Sequence, residues 1–316
     1  MNESKLKTFI STFSLPLVLL IVIVVFGSVS PQFLSVSNIS NMFLGSMASA
    51  FLAYGGIFIL VTNEFDLSLG YNLCLAMCTA AFLGTIGAPG AIILGIPLLL
   101  GAFYGFLNGL IVVRQKISSF IVTLAIGLTL SGIAQVITGG GNLYLTYPDW
   151  LLYITRKSIF NVGILVIIWL VLGAILHFFL TQVPVGRQMF AVGNSEHTAF
   201  LAGIKTAKIR ILAFTLAGFF SALGGIVMVG QLGSACSSYG VSLLLPAYAV
   251  VFLSKASYKP GYINVPGVVT SMALIILGTK GLELIGAATW CEYMFQGVAL
   301  MFAMWLSAKT SRTPIR

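Results

Sequence analysis

The chain has 316 residues, of which 59% are hydrophobic and 7% are charged, and its mean hydropathy is +1.06. Soluble domains carry roughly 25% charged residues, so this composition excludes a water-soluble enzyme of this size. It also excludes intrinsic disorder, which needs low hydrophobicity. The net charge of +9 does not indicate nucleic-acid binding, because the basic residues are spread between long apolar runs. The composition therefore predicts an integral membrane protein that is embedded in, and in contact with, the lipid bilayer.

Charge-free runs define the expected spans. No acidic or basic side chain lies within residues 8–63 or 67–113. A membrane helix needs about 20 apolar residues, so each run holds two spans, and continuous apolar runs favour helices over a barrel. We expect an all-α polytopic membrane protein with about ten transmembrane helices. The expected spans are residues 12–30, 42–62, 69–86, 90–113, 119–138, 159–181, 208–230, 242–256, 263–279 and 288–307.

The distribution of basic residues predicts the orientation. Ten spans with a cytoplasmic N-terminus leave only Arg156, Lys157 and Lys280 outside among the 16 Lys and Arg residues. Cytoplasmic loops are enriched in such residues, so we expect both termini to be cytoplasmic. Lys5 and Lys7 before an apolar run also resemble a signal peptide, but the many following spans favour an uncleaved first helix.

The sequence contains no recognisable enzyme constellation. It lacks a Walker-type phosphate loop, a nucleophile elbow and a zinc-binding His pair. Cys74 and Cys78 share one face of an expected helix, which fits a metal pair or, preferably, simple packing, since no further ligand stands nearby. We therefore expect no catalytic residue, no metal and no cofactor, and any ATP hydrolysis must occur on another polypeptide.

Two acids mark the boundary between the second and third expected spans. Glu64 and Asp66 are the only acidic residues between Lys7 and Asp149. Acids at a membrane boundary are costly unless they are hydrated or paired, which indicates a gate or a solute contact near the inner mouth. The alternative is a helix start in which Asp66 or Ser68 caps the third span.

A long cytoplasmic loop is expected at about residues 182–207. Within it, Asn194 or Ser195 is a candidate N-cap of a short helix, and Gly203 is a candidate residue just past its end. A short, partly apolar helix outside the membrane needs a surface to rest on. That surface is either the lipid headgroup region or a groove on a partner protein.

Two repeating patterns of small residues lie on expected helices, at spacings of four residues. They are Gly101, Gly105 and Gly109, and Ala217, Ser221 and Gly225. Small faces let helix backbones approach closely in lipid. We interpret both as tight packing within one bundle.

Together these segments resemble the membrane subunit of bacterial ATP-binding-cassette (ABC) importers for ribose and other monosaccharides. Residues 61–70 are similar to that family's Thr-Gly-Gly-Ile-Asp-Leu-Ser-Val-Gly block. Residues 116–124 resemble its Pro-Pro-Phe-Ile-Val-Thr-Leu block, and residues 186–204 resemble its ATPase-coupling segment. The resemblance extends over about residues 40–307.

The resemblance implies a single transmembrane permease domain, residues 1–316, in the cytoplasmic (inner) membrane of a bacterium. It also implies three protein partners: a cytoplasmic ABC ATPase, an extracytoplasmic solute-binding protein, and a second permease copy or paralogue. The residues implied in ATPase coupling are Gly186, Arg187, Gly193, Asn194, Glu196, Ala199, Gly203 and Ile204. The candidate residues of the gate or translocation path come from the boundary acids, from uncharged polar side chains within the spans and from the two resembled blocks; they are Glu64, Asp66, Ser68, Gly70, Asn72, Asn108, Phe120 and Thr123.

The sequence also departs from the family pattern. Asn63 and Glu64 stand where the family usually has two glycines, and residues 197–198 replace an Ala-Ala pair. These departures indicate a different solute or a subunit that pairs with a more typical permease. Other candidate solutes are a branched-chain amino acid, a nucleoside or a furanose signal. An ATP-independent secondary carrier is the other alternative, but such carriers more often keep an ionisable residue deep in a span.

Overall fold

The chain is helical over most of its length in a computed structural model, which describes residues 12–144, 149–159 and 161–310. Contacts divide the chain into two compact units. Unit 1 comprises Met1–Ser46, Ser158–His177 and Pro246–Arg316, and unit 2 comprises Met47–Lys157 and Phe178–Leu245. Two helices cross from one unit into the other.

Unit 2 contains most of the residues singled out above. Its complete helices are α3 (Met47–Val61), α4 (Ser68–Thr85), α5 (Gly90–Gln115), α6 (Ser119–Thr138), α7 (Asp149–Arg156), α9 (Pro184–Asn194), α10 (Glu196–Leu201) and α11 (Thr206–Leu232). Strands β1 (Leu143–Tyr144) and β4 (Ser234–Ala235) form an antiparallel pair, with Leu143 opposite Ala235. This pair joins the segments that follow α6 and α11.

Unit 1 holds the first described helices and the last ones. Its complete helices are α1 (Ser14–Val29), α2 (Val36–Gly45), α13 (Val265–Leu284) and α14 (Thr289–Thr310). Short 3₁₀ turns cover Pro31–Leu34 and Ser254–Ala256, and β2 (Ser158–Ile159) pairs with β3 (Val162–Gly163). Helices α8 (Ile164–Gln182) and α12 (Tyr239–Leu253) belong partly to each unit.

The two small-residue patterns pack helices closely within unit 2. A Cβ atom on Gly105 would collide with the Phe214 carbonyl oxygen of α11, and one on Gly109 would lie 2.8 Å from the Ile211 Cα. On α11, the Ser221 hydroxyl donates a 2.5 Å hydrogen bond to the Leu69 carbonyl of α4. The expectation of tight packing within one bundle is confirmed, because these helices touch through their backbones.

Left-handed residues end several helices. Gly139 follows α6 with φ +63° and Gly233 follows α11 with φ +70°, a conformation that glycine adopts without steric penalty. Lys116 ends α5 in the same region with φ 53°. The helix bounds expected from charge-free runs agree with these ends to within a few residues.

Within the described residues, seven helices are long and apolar enough to cross a membrane, or eight if α2 and α3 count as one span. The all-α expectation therefore holds, apart from the four two-residue strands. The long loop expected at residues 182–207 is mostly helical, since α9 and α10 occupy 184–194 and 196–201. Residues 1–11 and 311–316 lie outside the described part, so the predicted position of the termini stays a prediction.

Candidate functional site

The connection at residues 62–67 joins α3 to α4 and carries both acids of the predicted gate. The Thr62 hydroxyl turns back onto α3, donating to the Phe58 and Ile59 carbonyls at 3.1 and 2.9 Å. Asn63 follows with φ 59°, in the left-handed region that favours glycine and tolerates asparagine. Asn63, which stands where the resembled family usually has a glycine, therefore adopts the left-handed conformation here.

Asp66 is fully buried in this connection and lies outside both flanking helices. Its Oδ1 accepts hydrogen bonds from the Ser68 backbone N–H at 2.8 Å and from the Ser68 hydroxyl at 2.5 Å. The Asn108 amide nitrogen of α5 donates to Ser68 Oγ at 2.7 Å and contacts Asp66 Oδ2 at 3.5 Å. Burial raises the pKa of the Asp66 carboxyl to about 6, although these hydrogen bonds act in the opposite direction.

The N-cap interpretation of Asp66 is close to the observed structure but shifted by one residue. The N-cap position of α4 is Leu67, and Ser68 is the first helical residue. The Asp66 carboxylate nevertheless satisfies the otherwise unpaired N–H of Ser68, so it supports the start of α4 in the manner of a cap.

Two side chains of helix α6 accept hydrogen bonds from the backbone of the 62–67 connection. The Leu67 N–H donates to Thr123 Oγ1 at 2.9 Å, and the Phe65 N–H donates to Ser119 Oγ at 3.3 Å. Thr123 is completely buried. The connection is therefore tied to α5 through Asn108 and to α6 through two hydroxyl groups.

The other predicted gate residues lie in different surroundings. The Asn72 amide nitrogen donates to the Gly218 carbonyl of α11 at 2.9 Å. A Cβ on Gly70 would lie 2.8 Å from the Gly240 carbonyl oxygen, so its role is close backbone approach. The Phe120 side chain is half exposed on the first turn of α6, and its carbonyl accepts a hydrogen bond from the Thr123 hydroxyl at 3.4 Å.

The predicted coupling segment begins with α9, which sequence patterns did not identify. Pro184 occupies the first turn of this helix, a favoured position. A Cβ on Gly186 would collide with the Phe179 carbonyl, and one on Gly193 would collide with the Val61 carbonyl. Both glycines thus let α9 pack onto neighbouring backbone, and Gly193 does so where α3 ends and the 62–67 connection begins.

Helix α10 follows the expected pattern. The Ser195 hydroxyl accepts the Thr198 N–H at 3.2 Å as the N-cap, and Gly203 lies just beyond the helix with φ +82°. Ala199 is buried, whereas Phe200 and Leu201 are 65% and 71% exposed. Of the remaining residues implied in coupling, Arg187 and Asn194 are exposed and Ile204 is half-buried.

A cation on α11 brings the two predicted groups together. Arg210 donates from Nε to Glu64 Oε1 at 2.7 Å, and its Nη2 lies 2.5 Å from the same oxygen. Its Nη1 donates to both carboxylate oxygens of Glu196 at 3.0 and 3.1 Å. We call these three residues the charge clasp.

Sequence reasoning placed Glu64 with the gate and Glu196 with the coupling segment, and it did not single out Arg210. Glu64 and Arg210 are 146 positions apart, so no spacing rule connects them. One feature of the sequence does indicate that Glu64 has a cationic partner. In a chain with only 7% charged residues, an acid at a membrane boundary needs a cation nearby.

The chain is similar to permease components of transport systems over most of its length. A family described as "Branched-chain amino acid transport system / permease component" matches residues 38–304. The ribose import permease protein of Haemophilus influenzae is 30% identical over 289 residues, which cover 90% of each chain. The galactose/methyl galactoside import permease protein of Escherichia coli is 26% identical and covers 98% of this chain and 97% of its own.

A third relative is the D-allose transport system permease protein of Escherichia coli, 27% identical over 93% of this chain and 91% of its own. No solved structure matches the chain significantly.

Proposed function

The chain belongs to the family of permease components of branched-chain amino acid transport systems, and from that membership we propose that it forms the membrane path of an importer for a monosaccharide. It is a transport subunit of an ABC importer, not an enzyme, and it resides in the inner membrane. ATP is hydrolysed by a partner. The exposed Phe200 and Leu201 on α10, outside the spans, are the observation that carries the coupling role.

The solute proposal rests on relatives of nearly equal length. Those named for ribose, galactose and allose each match at least 90% of both chains. The family description names branched-chain amino acids, which makes them the second candidate. Sugars need hydrogen-bonding groups, and those of Asn72 and Asn108 lie within the bundle.

Ten spans remain the proposed topology. Eight are supported when α2 and α3 count as one. We assign the shorter apolar helix α1 as the ninth span and the 22-residue helix α14 as the tenth. An even number leaves both termini on one side, the cytoplasmic side by the positive-inside rule. We retain one permease domain over residues 1–316.

The proposed assembly has four kinds of component: this chain, a cytoplasmic ATPase, an extracytoplasmic binding protein, and a second permease copy or paralogue. In it, α9 and α10 form the coupling segment, with Glu196, Gly193 and Gly203 as positioning residues. The 62–67 connection, with Asp66, Ser68 and Asn108, forms the gate at the inner end.

An interface test follows from the exposed side chains of α10. Purified in mild detergent from its native membrane, the chain is expected to retain a stoichiometric ATPase. The amount of ATPase that co-purifies with the Phe200→Ala/Leu201→Ala double variant should be at least about tenfold lower. Each of these two large apolar contacts contributes roughly 1.5–3 kcal/mol. Quantitative mass spectrometry of the purified complex measures this.

The matched control changes equally exposed apolar residues within a span. Leu99 and Phe103 on α5 are 72% and 52% exposed, so Leu99→Ala/Phe103→Ala removes similar area without touching α10. It should retain the ATPase. Loss of the ATPase from neither double variant, or from both, would contradict the assignment of α10 as the docking helix.

A further inference from the structure

The charge clasp connects elements that are otherwise separate in sequence. Arg210 lies near the start of α11, Glu196 opens α10, and Glu64 lies in the 62–67 connection. One guanidinium therefore bonds at once to the proposed docking helix and to the proposed gate. Arginine suits this position because its planar donors can serve two carboxylates on different edges.

The two arms of the clasp differ in exposure. The Glu64 side chain is 11% exposed and that of Arg210 is 18% exposed, whereas that of Glu196 is 51% exposed. Ion pairs in water contribute little and exchange readily, whereas a largely desolvated pair is costly to break. The Glu64 arm is thus the permanent one, and the Glu196 arm is the one that a docking partner can open.

Beyond Glu64, hydrogen bonds continue to two helices of the bundle. Its neighbour Phe65 is tied to α6 through Ser119, and Leu67 through Thr123. Asp66 is tied to Asn108 of α5 directly and through Ser68. A displacement of Glu64 therefore acts on the inner ends of α5 and α6.

A second contact, between uncharged backbone groups, also joins the segment of α9 and α10 to the 62–67 connection. Gly193, in the last turn of α9, lies directly against the Val61 carbonyl, one residue before the connection. Ser195 separates α9 from α10 with an extended backbone at φ −162°. Helix α10 is therefore joined to the connection in two ways, by backbone packing through α9 and by charge through Arg210.

Building on the proposed function, we propose that Arg210 is the positioning residue that transmits movement of α10 to the 62–67 connection. ATPase docking displaces Glu196, and Arg210 carries that change to Glu64. The hydrogen bonds at Phe65 and Leu67 then loosen or tighten with the state of the ATPase.

The test measures amide hydrogen exchange at Phe65 and Leu67 in the complete complex, with and without ATP and vanadate. In the wild type, we expect exchange at these amides to change about twofold to fivefold between the two states, because opening an exposed ion pair such as the Glu196 arm shifts a local equilibrium by roughly that factor. In Glu196→Gln the change should be lost, while thermal stability stays near that of the wild type. This variant removes the exposed arm and leaves no buried charge unpaired.

A second variant addresses misfolding. Arg210→Gln alone strands the Glu64 carboxylate, so Glu64→Gln/Arg210→Gln is used, which removes both charges of the buried arm together. It should fold and bind the ATPase, but hydrolyse ATP without the exchange response. Lys208→Gln is the matched control, since Lys208 is an exposed cation on the same helix.

The outcomes separate the inference from the proposed function. If Glu196→Gln and the double variant both keep the wild-type exchange response, the role of Arg210 is overturned while the importer assignment stands. If Lys208→Gln loses the response as well, general surface charge is responsible and the clasp is overturned too. If no ATPase accompanies the wild-type chain, the proposed function itself fails, and the clasp inference with it.

Discussion

Gly193→Ala is expected to reduce solute uptake at least about fivefold while the chain still inserts into the membrane. The added Cβ would collide with the Val61 carbonyl oxygen, and backbone cannot move aside as a flexible side chain can. Overpacking of this kind costs about 1–3 kcal/mol, and 1.4 kcal/mol corresponds to a tenfold change in an equilibrium. The displaced α9 would carry α10 away from its position beside Arg210. Uptake of ¹⁴C-labelled ribose, galactose and allose into whole cells measures the effect.

Gly132→Ala is the control for this prediction. Gly132 lies within α6 with open space at its Cβ position, so alanine should be neutral or stabilise the helix by about 1 kcal/mol. Uptake by Gly193→Ala at the wild-type level, with equal amounts of protein in the membrane, would show that contact between α9 and α3 is not needed for transport.

Gly105→Ala is expected to lower the thermal stability of the bundle. A Cβ there would collide with the Phe214 carbonyl of α11, so α5 and α11 would have to separate along a long shared surface. A loss of about 1–3 kcal/mol would lower the unfolding midpoint by about 1.5–4.5 °C for a chain of this length. The buried thiols of Cys74 and Cys78 give a direct readout, because a thiol-reactive dye labels them only after unfolding.

The same helix supplies the comparison for Gly105. Gly95 also lies on α5 but has no atom within 4 Å of a built Cβ, so Gly95→Ala adds the same methyl group without a collision. Its midpoint should equal or exceed that of the wild type. Equal midpoints for the two variants would mean that the close approach of α5 and α11 contributes nothing to stability.

The membrane helices follow from the sequence because a single property, the absence of charge, decides them. The expected span 119–138 coincides with α6, and the expected spans 69–86 and 90–113 differ from α4 and α5 by at most two residues at either end. The short helix α10 was equally predictable, since a serine N-cap and a glycine just past the end are local signals.

Helix α9 shows where local signals fail. Its sequence contains Gly186 and Gly193, and glycine lowers helix propensity by about 1 kcal/mol relative to alanine, so the sequence predicts a loop there. In the structure both glycines lie against the backbone of other helices. Packing that only the folded chain provides therefore stabilises a helix that propensity alone disfavours.

The charge clasp shows the same limit at the candidate site. Glu64 is identifiable as an acid in a region almost free of charge, and Glu196 through the resemblance of residues 186–204 to a coupling segment. Nothing in the sequence distinguishes their common partner Arg210 from the neighbouring basic residues of the same expected cytoplasmic loop. Only tertiary structure brings a loop between α3 and α4 to the start of α11, so the sequence predicted the members of the site but not their arrangement.

ATP-driven import by this chain and its partners can be measured in a single transport assay. The purified complex is reconstituted into vesicles with its binding protein, and uptake of ¹⁴C-labelled ribose, galactose and allose is followed with ATP present or absent. We expect uptake of at least one sugar that requires ATP and does not respond to an imposed proton or sodium gradient. Uptake by the chain alone, driven by an ion gradient without ATP, would contradict it and identify a secondary carrier.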